Sequence, residues 1–293
     1  MAGSGTAHLR PSDGTLLRVE DLVVEFPVGG GRVVHAVSGI SFDVAKGETI
    51  GLVGESGCGK STTGRAILQL PKPTSGAVNL NDQDLTSVGD EQMRELRTDV
   101  QMIFQDPISS LNPRRAVGEI VAEPLHVWGP AEKDAQWEKV AKMLDAVGID
   151  PDVARYKFPH EFSGGQRQRV GIARALALQP KLIVCDEAVS ALDVSIQAQL
   201  LNLLSDLTRE MELTMIFISH DLSVVKHISD RIAVMYLGKI VEHGVTESIF
   251  RDPAHPYTQA LLSASPIPDI QLEQQRTRVV LRGDITSDGV SLS

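Results

Sequence analysis

Cysteine is nearly absent: the 293 residues carry only Cys58 and Cys185. One lies in a glycine-rich loop and the other in an apolar run that reads as a buried strand. A disulfide framework is therefore excluded, and two thiols alone cannot build a usual zinc or iron–sulfur centre. Long apolar runs are missing too, since no stretch of about 18 apolar residues is available to cross a bilayer. The opening Met1-Ala2-Gly3-Ser4-Gly5 lacks a basic region followed by an apolar stretch, so no secretory leader is expected and cytoplasmic residence follows. Basic charge is in deficit: 38 acidic residues against 28 basic give a formal net charge of −10. That is a poor match to broad, sequence-independent binding of nucleic acid, although it leaves room for a local basic patch. What remains is an ordinary globular composition, 42% hydrophobic and 23% charged. The length suits one large domain, or one domain with an appendage, around a sizeable core.

Residues 1–15 are small and polar and read as disordered. From Leu16 to Val44 apolar and polar residues alternate with a period of two around Gly29-Gly30-Gly31, which predicts antiparallel strands joined by a glycine turn. The apolar strand Thr49-Ile50-Gly51-Leu52-Val53 runs into a glycine-rich loop, and a helix is expected from Lys60 to Leu70. Another strand is expected over Val100–Phe104. The text then changes over Pro107–Phe162. There Val117–Val127 and Lys133–Val147 carry helical spacing, punctuated by Pro113, Pro124, Pro130 and Pro151, as in a helical insertion between core strands. Helix (Gly164–Leu178), strand (Leu182–Cys185), helix (Ile196–Met211) and strand (Thr214–Ile218) follow in alternation, which implies a mostly parallel sheet covered on both faces. Ile232–Val241 reads as a last hairpin turning near Gly238. From Thr246 helical text gives way to the polar end Asp284–Ser293, which is expected to fray.

Gly54-Glu55-Ser56-Gly57-Cys58-Gly59-Lys60-Ser61 fits G-x-x-x-x-G-K-[ST], and it follows a strand and opens a helix, the setting that pattern needs. Glycines let consecutive backbone N–H groups turn toward one anion, and the helix N-terminus adds the positive end of its dipole. Lys60 would place a point charge at the β- and γ-phosphates of a nucleotide. The Ser61 hydroxyl would face Mg²⁺, with Thr62 following in the first helical turn.

Asp186-Glu187 ends an apolar strand 126 residues after Lys60 (186 − 60). In a parallel sheet that strand end is where ligands bind. Asp186 would hold Mg²⁺ through a water, and Glu187, pointing differently, would activate the attacking water as general base. Alone, the pair is as easily a solvated strand end; the phosphate loop upstream tips the reading. Ser163 precedes the helical stretch Gln166–Leu178 and is a natural N-cap. Ser163-Gly164-Gly165-Gln166 is on one reading only a helix start. On the other, two glycines bare the helix N-terminus for a phosphate, and that phosphate would belong to a site shared between subunits.

These strings, in this order and with Phe162-Ser163-Gly164-Gly165-Gln166-Arg167-Gln168-Arg169 in full, closely resemble the ATP-binding subunit of ATP-binding cassette (ABC) transporters, from about Leu17 to Pro268. The resemblance implies an α/β fold: a P-loop NTPase core with a mostly parallel sheet, an N-terminal antiparallel β subdomain and a helical insertion subdomain at about 107–162. The cassette would occupy 16–245 and a C-terminal extension 246–293. It also implies a head-to-tail dimer in which Ser163, Gly164, Gly165 and Gln166 of one subunit close the phosphate loop of the other.

Further residues carry over one at a time. Gln105 resembles the Q-loop glutamine, which touches Mg²⁺ and relays nucleotide state to the helical insertion. Ser190-Ala191-Leu192-Asp193 resembles the D-loop that crosses the dimer interface, and His220 resembles the H-loop histidine at the γ-phosphate. Phe26 is suited either to stacking on adenine, where Tyr is more usual, or to the core. His227, His243 and His255 have no such support and read as structural. Ala188 stands where many relatives carry Pro, and Phe162 where the signature often opens with Leu; neither change removes a reacting group.

The text is most particular at Phe104-Gln105-Asp106-Pro107, at Ser110-Leu111-Asn112-Pro113-Arg114, at His160-Glu161 and along the tail from Gly238 to Thr258. These resemble the dipeptide/oligopeptide importer branch, and Leu111-Asn112-Pro113-Arg114 leans toward the second of its two ATPase subunits. The implied assembly has five parts: this ATPase at the cytoplasmic face of the membrane, a second ATPase (the same chain or another), two permeases and an extracytoplasmic substrate-binding protein. ATP and Mg²⁺ are the implied cofactors, and nucleic acid is not a partner. Nickel importers share much of this text. The rivals are a soluble cassette acting on ribosomes or DNA, which usually brings a second cassette, coiled coils or zinc modules, and a small-molecule P-loop kinase, which would leave Ser163–Gln166 without a role. His255-Pro256-Tyr257 reads as a tail packing motif rather than a metal site. Relatives usually continue with a Cys-bearing segment that this chain does not carry, so truncation and excision from a longer tandem polypeptide both stay open.

Overall fold

The computed structural model describes residues 6, 8–11, 14–106, 110–130, 132–190, 192–264 and 290–291. Among them no helix is long and apolar enough to cross a membrane. The chain divides into two compact units, residues 1–88 with 217–293, and residues 89–216.

The first unit opens with β1 (Thr15–Pro27) and β2 (Val33–Ala45), paired antiparallel; β4 (Ser75–Leu80) lies on the other side of β1 and pairs in turn with β5 (Gln83–Asp84). Leu17 and Val19 point into the core, as do Leu22 and Val24. The three-residue step from Val19 to Leu22 would break a period of two, and a bulge absorbs it. Asp21 takes a left-handed φ of 46° where the register slips, which returns Leu22 to the buried face. Gly76 follows from the same bulge, since a Cβ there would come within 2.4 Å of the Asp21 carbonyl oxygen.

The apolar β3 (Thr49–Val53) leads through a glycine-rich loop to α1 (Lys60–Ile67), and β3 pairs parallel with β9 (Arg231–Tyr236). β9 and β10 (Lys239–Val245) form the expected hairpin. Its turn residues Leu237 and Gly238 both have positive φ, 45° and 76°, the requirement of a tight turn that matches strand twist. Three helices complete this unit: α8 (Leu222–Ile228), α9 (Thr246–Arg251) and α10 (Pro256–Ala264).

The second unit holds α2 (Asp90–Leu96), β6 (Val100–Ile103), α3 (Val117–Trp128), α4 (Lys133–Ala146), α5 (Pro151–Ala154), α6 (Gly164–Leu176), β7 (Leu182–Asp186) and α7 (Val194–Glu210). β8 (Thr214–Ser219) follows along the chain. Within this unit β6 and β7 pair in parallel, with helices between them along the chain, as in an α/β fold. Helices do occupy the stretch after β6: Val117, Ile120, Val121 and Leu125 of α3 are buried, as are Val140, Met143 and Leu144 of α4 and Val170 and Ala173 of α6. Gly118 lets α3 approach Trp137, whose ring would lie 2.9 Å from a Cβ.

Some expectations shift. α1 stops at Ile67 rather than Leu70, because Gln69 turns left-handed (φ 58°). The N–H of Gln69 then bonds the Ala66 carbonyl, and the N–H of Leu70 bonds that of Arg65, a closure usually built on glycine. Pro124 does not punctuate its helix; α3 runs through it. The expected disorder of 1–15 does not extend over His8–Arg10. The Arg10 guanidinium pairs with the buried Asp43 and with Glu48, and His8 Nε2 bonds the Ser41 carbonyl at 2.8 Å. Residues 1–5, 7, 12 and 13 lie outside the described residues, as do Pro107 at the expected start of the insertion and 265–289. Of the end expected to fray, Val290 and Ser291 form a short strand, β11, against Val34 and Val33 of β2.

The His8 ring lies 4.4 Å from that of His243 in β10, and neither ring nitrogen of His243 has a hydrogen-bond partner. Burial, and then the neighbouring His8 and Arg231, push His243 down from 6.5 to about 4. Across that interval the unfolded chain takes up a proton that the folded chain refuses. This contribution to stability is therefore intact above about pH 6.5 and is lost as pH falls toward about 4. His243→Gln is expected to flatten the acid slope of the urea midpoint between about pH 4 and 7; an unchanged slope would show that His243 is not its source.

Candidate functional site

In the first unit the residues of Gly54–Ser61 wrap the start of α1. Gly54, Gly57 and Gly59 have φ of 151°, 82° and 105°, a region that side-chain-bearing residues rarely enter. Two of them are also sterically fixed: a Cβ on Gly54 would meet the Met235 carbonyl oxygen at 2.2 Å, and one on Gly59 the Ala36 carbonyl oxygen at 2.2 Å. α1 has no side-chain cap and no acidic residue in its first turn, so the positive end of its dipole faces the loop.

The Lys60 side chain curls back into this loop, and the residue is only 4% exposed. Its ammonium donates to the carbonyls of Gly54 (2.8 Å) and Glu55 (2.7 Å). The loop is supported from behind. Gly238 N–H donates to the Cys58 carbonyl (3.0 Å) while its own carbonyl accepts from Ser38 N–H, and the Tyr257 hydroxyl oxygen accepts the N–H of Glu55 (3.0 Å). Burial pushes the Cys58 thiol up despite the pull of Lys60. This backing by the β9–β10 turn and Tyr257 was not foreseen from sequence. His220, exposed, follows β8 and precedes Asp221, which caps α8 through Ser223 N–H (2.9 Å). Phe26 sits near the end of β1, opposite Val34, with its side chain partly exposed.

In the second unit Asp186 ends β7 at 1% exposure. Glu187 follows with a left-handed φ of 49°, which turns its side chain away from the line of the strand. Gln105, two residues beyond β6, donates from Nε2 to Glu187 Oε2 at 2.9 Å, so two residues read separately from the sequence are in direct contact. The Glu187 carbonyl accepts from the Ser190 hydroxyl (3.0 Å), which fixes the turn despite Ala188 in place of Pro.

Ser163 caps α6: its hydroxyl accepts from Gln166 N–H (3.3 Å), and Gln166 Oε1 accepts from Ser163 N–H (2.9 Å). This helix start is therefore closed by its own residues rather than bare. Gly165 has a packing reason, since its Cβ would meet Ile196 of α7 at 2.6 Å, whereas Gly164 has only Leu192 at 3.9 Å. Asp193, exposed, is the N-cap of α7 and makes no side-chain cap bond; Ala191 of the D-loop string lies outside the described residues.

A glycine-constrained loop with an inward lysine at a helix start suits the phosphates of a nucleotide. Ser61 in the first unit and Asp186 in the second are each of the oxygen-donor type that a magnesium ion takes. Among the described residues no group of three or more His, Cys, Asp or Glu side chains is placed to hold a metal ion.

The sequence matches the ABC transporter family over residues 37–190. The oligopeptide transport ATP-binding protein OppF of Salmonella typhimurium is 52% identical over 282 residues, which is 93% of this chain and 84% of that protein. The chain belongs to the ABC transporter family. Residues 241–285 of this ABC chain also match the C-terminal region of oligopeptide/dipeptide transporters. The glutathione import ATP-binding protein GsiA of Salmonella paratyphi A is 52% identical over 93% of this chain but only 44% of its own length. Among solved structures, the ATP-binding cassette MJ0796, a dimer in a post-hydrolysis state bound to ADP and Pi, superposes with a TM-score of 0.71 at 26% identity, covering 78% of this ABC chain and 98% of that one.

The glycine geometry makes a direct prediction. Gly59→Ala places a methyl group against the Ala36 carbonyl and forces an L-residue to φ 105°. Binding of a fluorescent ATP analogue is expected to fall by more than about tenfold, the equivalent of about 1.4 kcal/mol, as titration would show. Unchanged affinity would mean that the loop does not need this backbone.

Proposed function

We propose that this chain is the ATP-hydrolysing subunit of a membrane importer of peptides. The observation that carries the ATPase chemistry is the phosphate loop with Lys60 drawn in among its own carbonyls. The observation that carries the peptide class is the oligopeptide/dipeptide C-terminal region over 241–285. The identity to OppF over most of both chains supports it, and the match to GsiA keeps glutathione, itself a tripeptide, within the class.

Residues Gly54, Glu55, Ser56, Gly57, Cys58, Gly59, Lys60, Ser61 and Thr62 form the phosphate cradle. Backbone N–H groups and the α1 dipole hold the anion, and Lys60 exchanges its carbonyl partners for phosphate oxygens. Phe26 offers its ring to adenine. Ser61, Asp186 and Gln105 are the residues that would hold Mg²⁺, which when bound neutralises charge on the β- and γ-phosphates. Glu187 takes the proton from the attacking water, and His220 donates to the γ-phosphate oxygen as charge develops there. In the resting chain the Gln105 amide occupies one Glu187 oxygen. Release of that Gln105 contact would free the Glu187 oxygen to accept the proton of the attacking water.

The exposed Ser163 and Gln166, with Gly164, Gly165 and Asp193, serve a partner cassette, as the dimeric state of MJ0796 suggests. Two permeases and an extracytoplasmic binding protein complete the assembly, with this chain at the cytoplasmic face of the membrane. Dimer closure then moves the helical insertion against the permeases.

Glu187→Gln tests the chemistry. Nucleotide binding is expected to persist while phosphate release drops by about 10²–10⁴-fold; parental turnover would overturn the assignment. The same variant, tagged and trapped with ATP in solubilised host membranes, is expected to retain a second cassette and two integral membrane proteins, read by mass spectrometry. Recovery of ribosomal or DNA-repair proteins alone would sink the transport reading.

A further inference from the structure

The His255-Pro256-Tyr257 string, which reads from sequence as packing, reaches the phosphate loop. Tyr257 lies in the first turn of α10, is 3% exposed, and stacks obliquely on Tyr236 with ring centres 4.3 Å apart. Burial pushes its phenol well above the ordinary range, so the hydroxyl stays neutral. Its oxygen accepts the Glu55 N–H at 3.0 Å, while the carbonyl of Gly54 accepts the Lys60 ammonium at 2.8 Å. Those two groups are the opposite ends of a single peptide unit. That peptide is therefore held from both sides, and an acceptor at its N–H strengthens the carbonyl as an acceptor for Lys60.

The helix that carries Tyr257 is itself anchored. The Glu242 carboxylate of β10, 2% exposed, accepts the N–H groups of Ala254 (2.8 Å) and His255 (3.0 Å). Burial alone would raise the Glu242 carboxyl, but the Thr258 side chain and then these backbone donors hold it below its usual range. His255 Nδ1 then accepts the Tyr257 N–H at 3.1 Å. The path runs from a buried carboxylate, through the start of α10, to the loop. All of it, except the loop end, lies within residues 241–285.

We propose that Tyr257 is a positioning residue of the phosphate loop, through which the C-terminal region presets the loop for nucleotide. With the hydroxyl in place, the 54–55 peptide is oriented before nucleotide arrives. Without it, the peptide is free to rotate, and the cost of ordering falls on the binding step. The coupling is reciprocal, so nucleotide entry also alters the surroundings of Tyr257. The proposal rests on the reading that Gly54–Ser61 binds ATP.

The test uses the full chain and separates the two ideas. Lys60→Ala tests the loop: loss of ADP and ATP binding is expected, and parental affinity in that variant would overturn the ATP-loop reading and this proposal with it. Tyr257→Phe removes one oxygen. Its ADP and ATP dissociation constants are expected to rise about three- to tenfold, the range of one hydrogen bond. The KM for ATP should rise by the same factor while kcat holds. If Lys60→Ala loses binding but Tyr257→Phe binds as the parent does, the loop reading stands and the positioning role falls. A second measurement does not depend on that variant folding. The chain has three tyrosines, so 3-fluorotyrosine labelling gives three ¹⁹F signals, and Tyr156→Phe and Tyr236→Phe identify the third by elimination. That signal is expected to shift on adding ADP to the otherwise unaltered chain; a Tyr257 signal unmoved at saturating ADP would overturn the proposal.

Discussion

The ammonium of Lys60, almost wholly out of solvent, is held by two carbonyls of its own loop, and much of the first unit follows from keeping it there. A buried charge is tolerated only when it is hydrogen-bonded. The loop must therefore curl over the lysine, which forces left-handed backbone at Gly54, Gly57 and Gly59. The curl brings the loop against β9, whose Met235 carbonyl leaves no room for a side chain at Gly54. On the proposed reading, phosphate oxygens would take the place of those carbonyls without bringing the lysine out into solvent.

The second unit carries a parallel tension. Glu187 sits in left-handed backbone, a costly conformation for a residue with a side chain, and the Ser190 hydroxyl and Gln105 amide hold it there. The Ser163–Gln166 helix start looks different: its cap is internally satisfied, and Gly165 is needed for packing against α7 whatever else it does. One short string thus answers to the fold and, on the proposed reading, to a partner as well. Gly164, where a Cβ would meet only Leu192 at an ordinary contact distance, is the position that packing leaves unexplained.

The hairpins, the phosphate loop and the strand–helix alternation were legible because each carries a period or a glycine at a position that demands one. Gly238 announced its turn, and the G-x-x-x-x-G-K-S spacing announced the loop. The end of α1 was not legible, because Gln69 takes the left-handed position where glycine would have given it away. The strand β4 and the short helices α2 and α8 were missed, having too few residues to establish a period. Gln105 and Glu187 were each readable, but their contact joins positions 82 apart in the chain, and no local pattern encodes it. The same holds for Tyr257, whose partner is a backbone N–H rather than a side chain that a motif could name.

Both cysteines are buried, and burial raises both thiols, Cys185 the more strongly. Toward water-borne thiol reagents the native surface is therefore close to blank, since the reactive species is the thiolate and access is required. A cysteine placed at an exposed position such as Ser163 or Asp193 would stand alone as a chemical handle. The molecule is in that sense already prepared for spin labels, dyes and cross-linkers, with no need to strip its own sulfur first.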